Sequence, residues 1–150
     1  MKKYLMVFVL AIGSLVANAQ EIKWMTFNEA IASQKKNPKP IFMDVYTDWC
    51  GPCKMLDKNT FHDPKIVDLV NKNYYAVKFN GEGTDVINYK GKTFINAKHN
   101  PNSRGRNSVH DFTTYLQLRG YPSMYIFDAK GDVKSPIVGY YTADQLLPML

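Results

Sequence analysis

From Trp24 onward the apolar positions switch between two spacings, and the switches mark out the elements. In "TFNEAIASQKKNPKP", Phe27, Ala30 and Ile31 lie close on one helical face, and Thr26 followed three residues later by Glu29 forms a capping box. The pattern predicts a first helix ending near Asn37, broken by Pro38 and Pro40. "IFMDVY" is a short apolar run with Ile and Val that suits a buried strand, and it delivers the chain to Asp48, Trp49 and Cys50. Met55 and Leu56 stand near helical spacing from Cys53, which predicts a helix starting at the cysteines. "DPKIVDLVNKN" offers Asp63 as N-cap and Pro64 at the first helical position, with Ile66, Val67, Leu69 and Val70 for packing. "YYAVKF" reads as a second buried strand, and two strands separated by helical sequence predict a parallel pair.

Towards the C-terminus, "SMYIFDAKGDVKSPIVGYY" predicts two antiparallel strands joined by a turn at 129–132. Thr142 with Gln145 opens a last short helix, whose final turn Pro148 should weaken. Between the second strand and this hairpin lies an insertion, 80–108. "VINYKGKTFIN" within it suits a small hairpin about Lys90 and Gly91, while "HNPNSRGRNS" is loop by composition. "VHDFTTYLQL" then returns the chain to the core as a helix, with Val109, Phe112 and Leu116 at helical spacing. The sum is one α/β domain, a central mixed sheet flanked by helices on both faces.

The first nineteen residues do not belong to that pattern. Lys2 and Lys3 precede thirteen apolar-rich residues, Tyr4 to Val16, and then Ala17, Asn18 and Ala19, a small-x-small cleavage signature. Residues 1–19 are therefore expected to be a signal peptide and 20–150 the exported domain, in the periplasm or cell envelope, with an uncleaved anchor as the alternative. Thirteen residues fall short of the roughly 20 needed to span a bilayer, so no stable membrane insertion is expected after cleavage. Loss of the two lysines lowers the formal charge of +6 to +4, and the bases are mostly interleaved with acids. Nucleic acid binding would need a clustered basic stripe, so none is expected.

At 150 residues and 45% hydrophobic composition, the domain can bury a core without a disulfide. Its only two cysteines, Cys50 and Cys53, enclose Gly51 and Pro52. A bridge between them closes too small a loop to remove much entropy from the unfolded chain, which makes a structural staple a poor explanation. A metal site needs about four ligands, and only His62, His99 and His110 remain as softer donors, none paired at helical spacing. No metal is expected. A redox pair fits: the helix N-terminus stabilises the Cys50 thiolate, and Cys53, one turn later, can attack a mixed disulfide. Cys50 is then the attacking thiol and Cys53 the resolving one.

The residues around the pair carry a resemblance. "FMDVYTDWCGPCK", "AVKFN", "RGYPSMYIFDAKGDV" and "IVGYYTADQL" occur in the order and character of thioredoxins, and "NTFHDPKIVDLVNKNY" is similar to exported thioredoxin-like proteins of bacterial envelopes. The likeness covers almost all of 24–150 except the insertion, and implies a thioredoxin-like fold. It implies a buried Asp44 that takes the proton of Cys53, with Lys78 as its partner in the neighbouring strand. It also implies a substrate face made by Trp49, Gly51, Pro52, Tyr121 and Pro122, with a cis bond before Pro122. Gly131 and Gly139 match family glycines. Tyr121 is bulkier and more polar than the aliphatic residue usual there in thioredoxins, and the insertion is a departure. Because parallel strands ending at Tyr46 and Phe79 finish at one sheet edge, the insertion is expected to overhang Cys50, with Lys90, Lys92, Lys98, Arg104 and Arg106 as candidate partner contacts. A solvated surface loop is the competing expectation.

The function expected is a thiol–disulfide oxidoreductase of the cell envelope. Gly-Pro is the thioredoxin dipeptide, and thioredoxin lies near −270 mV against about −120 mV for strongly oxidising envelope enzymes, so a reductant is favoured. The sequence has no nicotinamide or flavin fingerprint, so no cofactor beyond the Cys50/Cys53 pair is expected. Its partners would be protein thiols and disulfides and a membrane electron donor. An oxidase or isomerase uses the same chemistry, and a peptide-binding module without turnover is the alternative of another class.

Overall fold

The computed structural model describes residues 20–150, and the candidate signal peptide, 1–19, lies outside the described residues. A five-stranded mixed sheet has the order β1 (Trp24–Met25), β3 (Tyr75–Asn80), β2 (Ile41–Tyr46), β6 (Ser123–Phe127), β7 (Ile137–Val138). β1 and β2 run parallel to β3, β6 runs antiparallel to β2, and β7 antiparallel to β6. No helix among the described residues is long and apolar enough to cross a membrane.

The two-residue period of β2 divides the core. Ile41, Met43 and Val45 join Phe27, Val77, Phe79, Phe112 and Phe127 on one face, while Phe42 joins Leu56, Phe61, Ile66, Val70 and Leu146 on the other. Asp44 has the parity of Phe42, so its carboxyl enters the second layer, the one covered by α2 (Gly51–Lys58) through Leu56. α3 (Pro64–Asn73) and α5 (Ala143–Leu146) cover the same face; α1 (Phe27–Lys36) and α4 (Asp111–Tyr115) cover the opposite one.

Local chemistry places the helix starts where the sequence puts them. The Thr26 hydroxyl accepts from the Glu29 N–H at 3.2 Å while the Thr26 N–H donates to the Glu29 carboxylate at 2.8 Å. Asp63 caps α3, and Thr142 with Gln145 caps α5. Pro148 lacks an N–H, and the chain from Leu147–Met149 is a 3-10 turn rather than a continued α-helix.

Several boundaries differ from expectation. The second buried strand starts at Tyr75, because Tyr74 closes α3 as its C-cap. The C-terminal hairpin keeps its turn, but its second arm is interrupted at Pro136 and only Ile137–Val138 pair fully, beyond a single bridge from Phe127 to Val133. Val109 is exposed and His110 caps α4, so that helix is shorter than the pattern suggested. β1 has no counterpart in the sequence reading; two residues are too few to show a period.

The insertion forms the expected hairpin, β4 (Ile87–Tyr89) with β5 (Lys92–Phe94). Lys90 and Gly91 at its tip have φ of 48° and 75°, the left-handed pair that a two-residue connection requires. Ile87, Tyr89 and Phe94 are buried against Phe27, Phe112 and Phe127, continuing the first core face.

Candidate redox site

The chain leaves β2 at the sheet edge, and the Cys50 N–H bonds back to Thr47 O at 3.3 Å. Cys50 is the N-cap of α2, with Pro52 in its first turn. The two cysteines are joined as a disulfide, and Cys50 Sγ accepts from the Cys53 N–H at 3.2 Å. The Cys53 N–H, in the first helical turn where no backbone acceptor is at hand, therefore points at the sulfur of Cys50, the arrangement that stabilises a thiolate. Both cysteines are 2% exposed, whereas Gly51 and Pro52 are exposed between them.

Below α2, Asp44 is wholly buried. Its Oδ2 accepts from Lys78 Nζ at 2.6 Å; among the described residues its Oδ1 has no partner, and neither does the buried Thr47 hydroxyl. Burial raises the Asp44 carboxyl to about 6, against the opposing pull of Lys78. Burial alone would lower the Lys78 ammonium, but Asp44 and Asp57 outweigh it and hold it above its ordinary value. Lys78 also bonds Asp57, on α2, and its Nζ lies 5.0 to 5.3 Å from the ring centres of Tyr46, Phe61 and Trp24. One cation thus ties the buried acid, a half-exposed acid and three aromatic rings together.

On the other side of the pair, Trp49 Nε1 donates to Glu82 Oε2 at 2.9 Å, and the Asn107 N–H donates to the same oxygen at 2.8 Å. Tyr121 meets the Trp49 ring edge-on at 5.6 Å between centres, and its hydroxyl end lies against Gly81, where a Cβ would approach Oη to 2.6 Å. Burial, with Glu82 and Tyr125 nearby, pushes the Tyr121 hydroxyl up to about 12. The Tyr121–Pro122 bond is cis, and Pro122 O accepts from the Gly139 N–H at 2.9 Å. Arg106 holds its guanidinium over the Trp49 ring, with Cζ 4.4 Å from the ring centre.

The structure therefore brings Cys50 and Cys53 together, pairs Asp44 with Lys78, and packs Trp49 on Tyr121. It divides the five basic candidates of the insertion. Gly81 N–H bonds Tyr46 O and His110 N–H bonds Gly81 O, so both ends of the insertion sit at the cysteine edge. The hairpin tip, however, reaches the opposite pole of the sheet: Tyr89 Oη donates to Gly131 O at 2.7 Å and Lys90 pairs with Asp132 at 2.5 Å. Lys90, and with it Lys92 on the same hairpin, does not overhang Cys50, because the apolar face of the hairpin is drawn into the core beside Phe27. Arg106 reaches the site, and Lys98 and Arg104 lie exposed in the same loop.

Two site residues escaped the sequence reading. Asp57 lies four residues after Cys53, so i,i+4 spacing along α2 was a usable signal. Glu82, in "NGEG", carries no periodic signal; only its burial at 8% exposure and its bonds to Trp49 and Asn107 reveal it. The histidines are dispersed. His62 bonds Asp57 O, His99 bonds Glu82 O, and His110 donates from Nε2 to Asp85 O while its Nδ1 accepts from the Phe112 N–H.

Comparison with known proteins gives consistent relatives. The profile of the thioredoxin-like domain family matches residues 27–150. The thiol:disulfide interchange protein DsbD of Pectobacterium atrosepticum is 28% identical over 120 residues, 79% of this chain and 16% of its own length. DsbD of Salmonella typhi is 30% identical over 104 residues, 69% of this chain and 14% of its own. The chain thus spans about a sixth of the length of these relatives. Among solved structures, a candidate disulphide-isomerase from Bacteroides thetaiotaomicron superposes with a TM-score of 0.60 at 25% identity, covering 88% of this chain and 92% of that one. A thioredoxin from Thermus thermophilus also gives 0.60, at 12% identity, covering 86% of this chain and 84% of its own.

Proposed function

Because the chain belongs to the thioredoxin-like domain family, we propose that it is a thiol–disulfide oxidoreductase of the cell envelope that reduces protein disulfides through Cys50 and Cys53. The observation that supports this most is the disulfide at the N-cap of α2, set over the buried Asp44–Lys78 pair.

In the reducing direction the Cys50 thiolate attacks one sulfur of the substrate disulfide. A mixed disulfide forms and the first substrate thiolate leaves. Asp44, held largely ionised at neutral pH by its value of about 6, takes the proton of Cys53. The Cys53 thiolate attacks Cys50 Sγ, the second substrate thiol is released, and the Cys50–Cys53 disulfide remains. Two electrons pass to the substrate, and a dithiol donor must return two. With no nicotinamide or flavin fingerprint in the sequence, that donor is another protein, a membrane carrier of reducing equivalents in an oxidising compartment. Trp49, Gly51, Pro52, Tyr121 and Pro122 form the face that meets the substrate.

Equilibration of the pair with glutathione buffers tests the direction. A potential near that of thioredoxin, about −270 mV, supports a reductant; one near about −120 mV makes the protein an oxidase, and one near about −180 mV favours isomerisation. Cys50→Ser must abolish turnover of a protein disulfide such as insulin. If that variant retained the biological function, the domain would be a binding module and the catalytic reading would fall.

A further inference from the structure

The loop that follows the insertion hairpin is built to hold one side chain. Asn100 and Asn107 exchange two hydrogen bonds of 2.9 and 2.8 Å, Asn100 N–H donating to Asn107 Oδ1 and Asn107 Nδ2 to Asn100 O. Ser103 Oγ donates to Arg106 O at 2.8 Å, and the Asn107 N–H is fixed to the buried Glu82 carboxylate at 2.8 Å. Four hydrogen bonds thus position the backbone on both sides of Arg106. The result is a guanidinium 4.4 Å from the centre of the Trp49 ring, on the residue that immediately precedes Cys50.

The Arg106 guanidinium lies over the Trp49 ring, and its fork of N–H donors matches a planar carboxylate acceptor. Among the described residues Arg106 makes no ion pair. The Glu82 oxygen at the N–H edge of the indole already accepts from Trp49 and Asn107. Residues 95–108 hold Lys98, Arg104 and Arg106 and no Asp or Glu, so the loop presents net positive charge. The acid on the same rim is Asp48, exposed and bonded by Asn80 Nδ2 at 3.4 Å.

We propose that Arg106 is the specificity residue of this redox site: held over Trp49 and without an ion pair among the described residues, it receives an Asp or Glu that flanks the disulfide of the partner protein. The inference rests on the oxidoreductase reading and names the partner's chemistry within it. Ordering the loop in advance removes much of the entropic cost that a flexible arginine would bear on binding. A bidentate Arg–carboxylate pair beside the attacking sulfur also fixes the approach of the substrate strand.

The test is a single-turnover measurement with the DTT-reduced, desalted protein. Three short peptides, each closed by one disulfide, differ only in the flanking residue: Glu, Gln or Lys. Quenched-flow mass spectrometry follows oxidation of Cys50/Cys53 and release of the peptide dithiol. At low salt the wild-type protein should oxidise about five- to tenfold faster with the Glu than with the Gln peptide, and most slowly with the Lys peptide. Salt at about 0.5 M should compress that ratio. Arg106→Gln should bring the Glu-to-Gln ratio to about 1, and Arg106→Glu should invert the order so that the Lys peptide leads. Equal Glu-to-Gln ratios in wild type and Arg106→Gln would overturn the role of Arg106 while leaving the oxidoreductase reading intact. Failure of the wild-type protein to react with any peptide would overturn the reducing direction and this inference together.

Discussion

Replacing Asp44 by Asn removes a buried charge with little change of shape, and the effect on stability turns with pH. Asp44 is fully buried, with Lys78 on one oxygen and, among the described residues, no partner on the other. Burial lifts its carboxyl from 3.8 to about 6 despite Lys78. Between those values the folded protein retains a proton that the unfolded chain has released, so stability declines as pH rises through that window and stays lower above it. At about 1.4 kcal/mol per pH unit the decline amounts to roughly 3 kcal/mol. Lys78 is held above its ordinary value and keeps its charge throughout this range. Asn does not titrate. The stability of Asp44→Asn relative to the parent should therefore move in favour of the variant by roughly 2 to 3 kcal/mol between about pH 4 and about pH 8. Urea unfolding of both oxidised proteins across that range measures the divergence in midpoint at constant m. Parallel stability profiles would refute the reasoning. The same variant should slow disulfide turnover at neutral pH by roughly 100-fold, the low end for a lost general base, so added stability and lost activity would come from one substitution.

Lys78→Met should raise the Asp44 carboxyl further, moving the decline in stability to higher pH, which the same titration would show. Gly81→Ala places a Cβ at 2.6 Å from Tyr121 Oη and 2.8 Å from Cε1, so the ring must shift. A cost of about 1 to 3 kcal/mol is expected, with altered Trp49 fluorescence in a Trp24→Phe background, because Tyr121 packs on that indole. His110→Ala removes both the acceptor for the Phe112 N–H and the donor to Asp85 O from a fully buried site; urea unfolding should show a loss of about 2 to 4 kcal/mol, and His110→Asn should restore about 1 kcal/mol by renewing the cap.

What the sequence disclosed and what it hid follow from range of interaction. Capping boxes at Thr26 and Thr142, the apolar run of β2 and the hairpin turn at Lys90–Gly91 are local, and each was legible from a few neighbouring residues. The fold class followed from their order. The course of the insertion was not local. The buried side chains Ile87, Tyr89 and Phe94 could have faced solvent, a partner or the core, and only their fit beside Phe27 and Phe112 decides it. The carboxylate that accepts from Trp49 was hidden for the same reason: a link from residue 49 to Glu82 spans 33 positions and leaves no spacing to read. Lys78 was placed as the partner of Asp44 through the family pattern, whereas its second partner Asp57 became visible through the register of β3 beside β2 and the overlying helix.

The two parts of the insertion differ in what evolution or an engineer can exchange. The hairpin is welded to the core and cannot be cut out without opening a cavity among Phe27, Phe112 and Phe127. The loop beyond it is closed at its base: Asn96 Nδ2 donates to Ser108 O at 2.8 Å, and Ser108 Oγ returns a bond to Asn96 Oδ1 at 2.7 Å. With its ends already joined, the chain between them can change in length and sequence at small entropic cost to the rest of the domain. Asn96 and Ser108 thus act as the socket of a replaceable cartridge, through which one redox scaffold could be refitted for a different clientele.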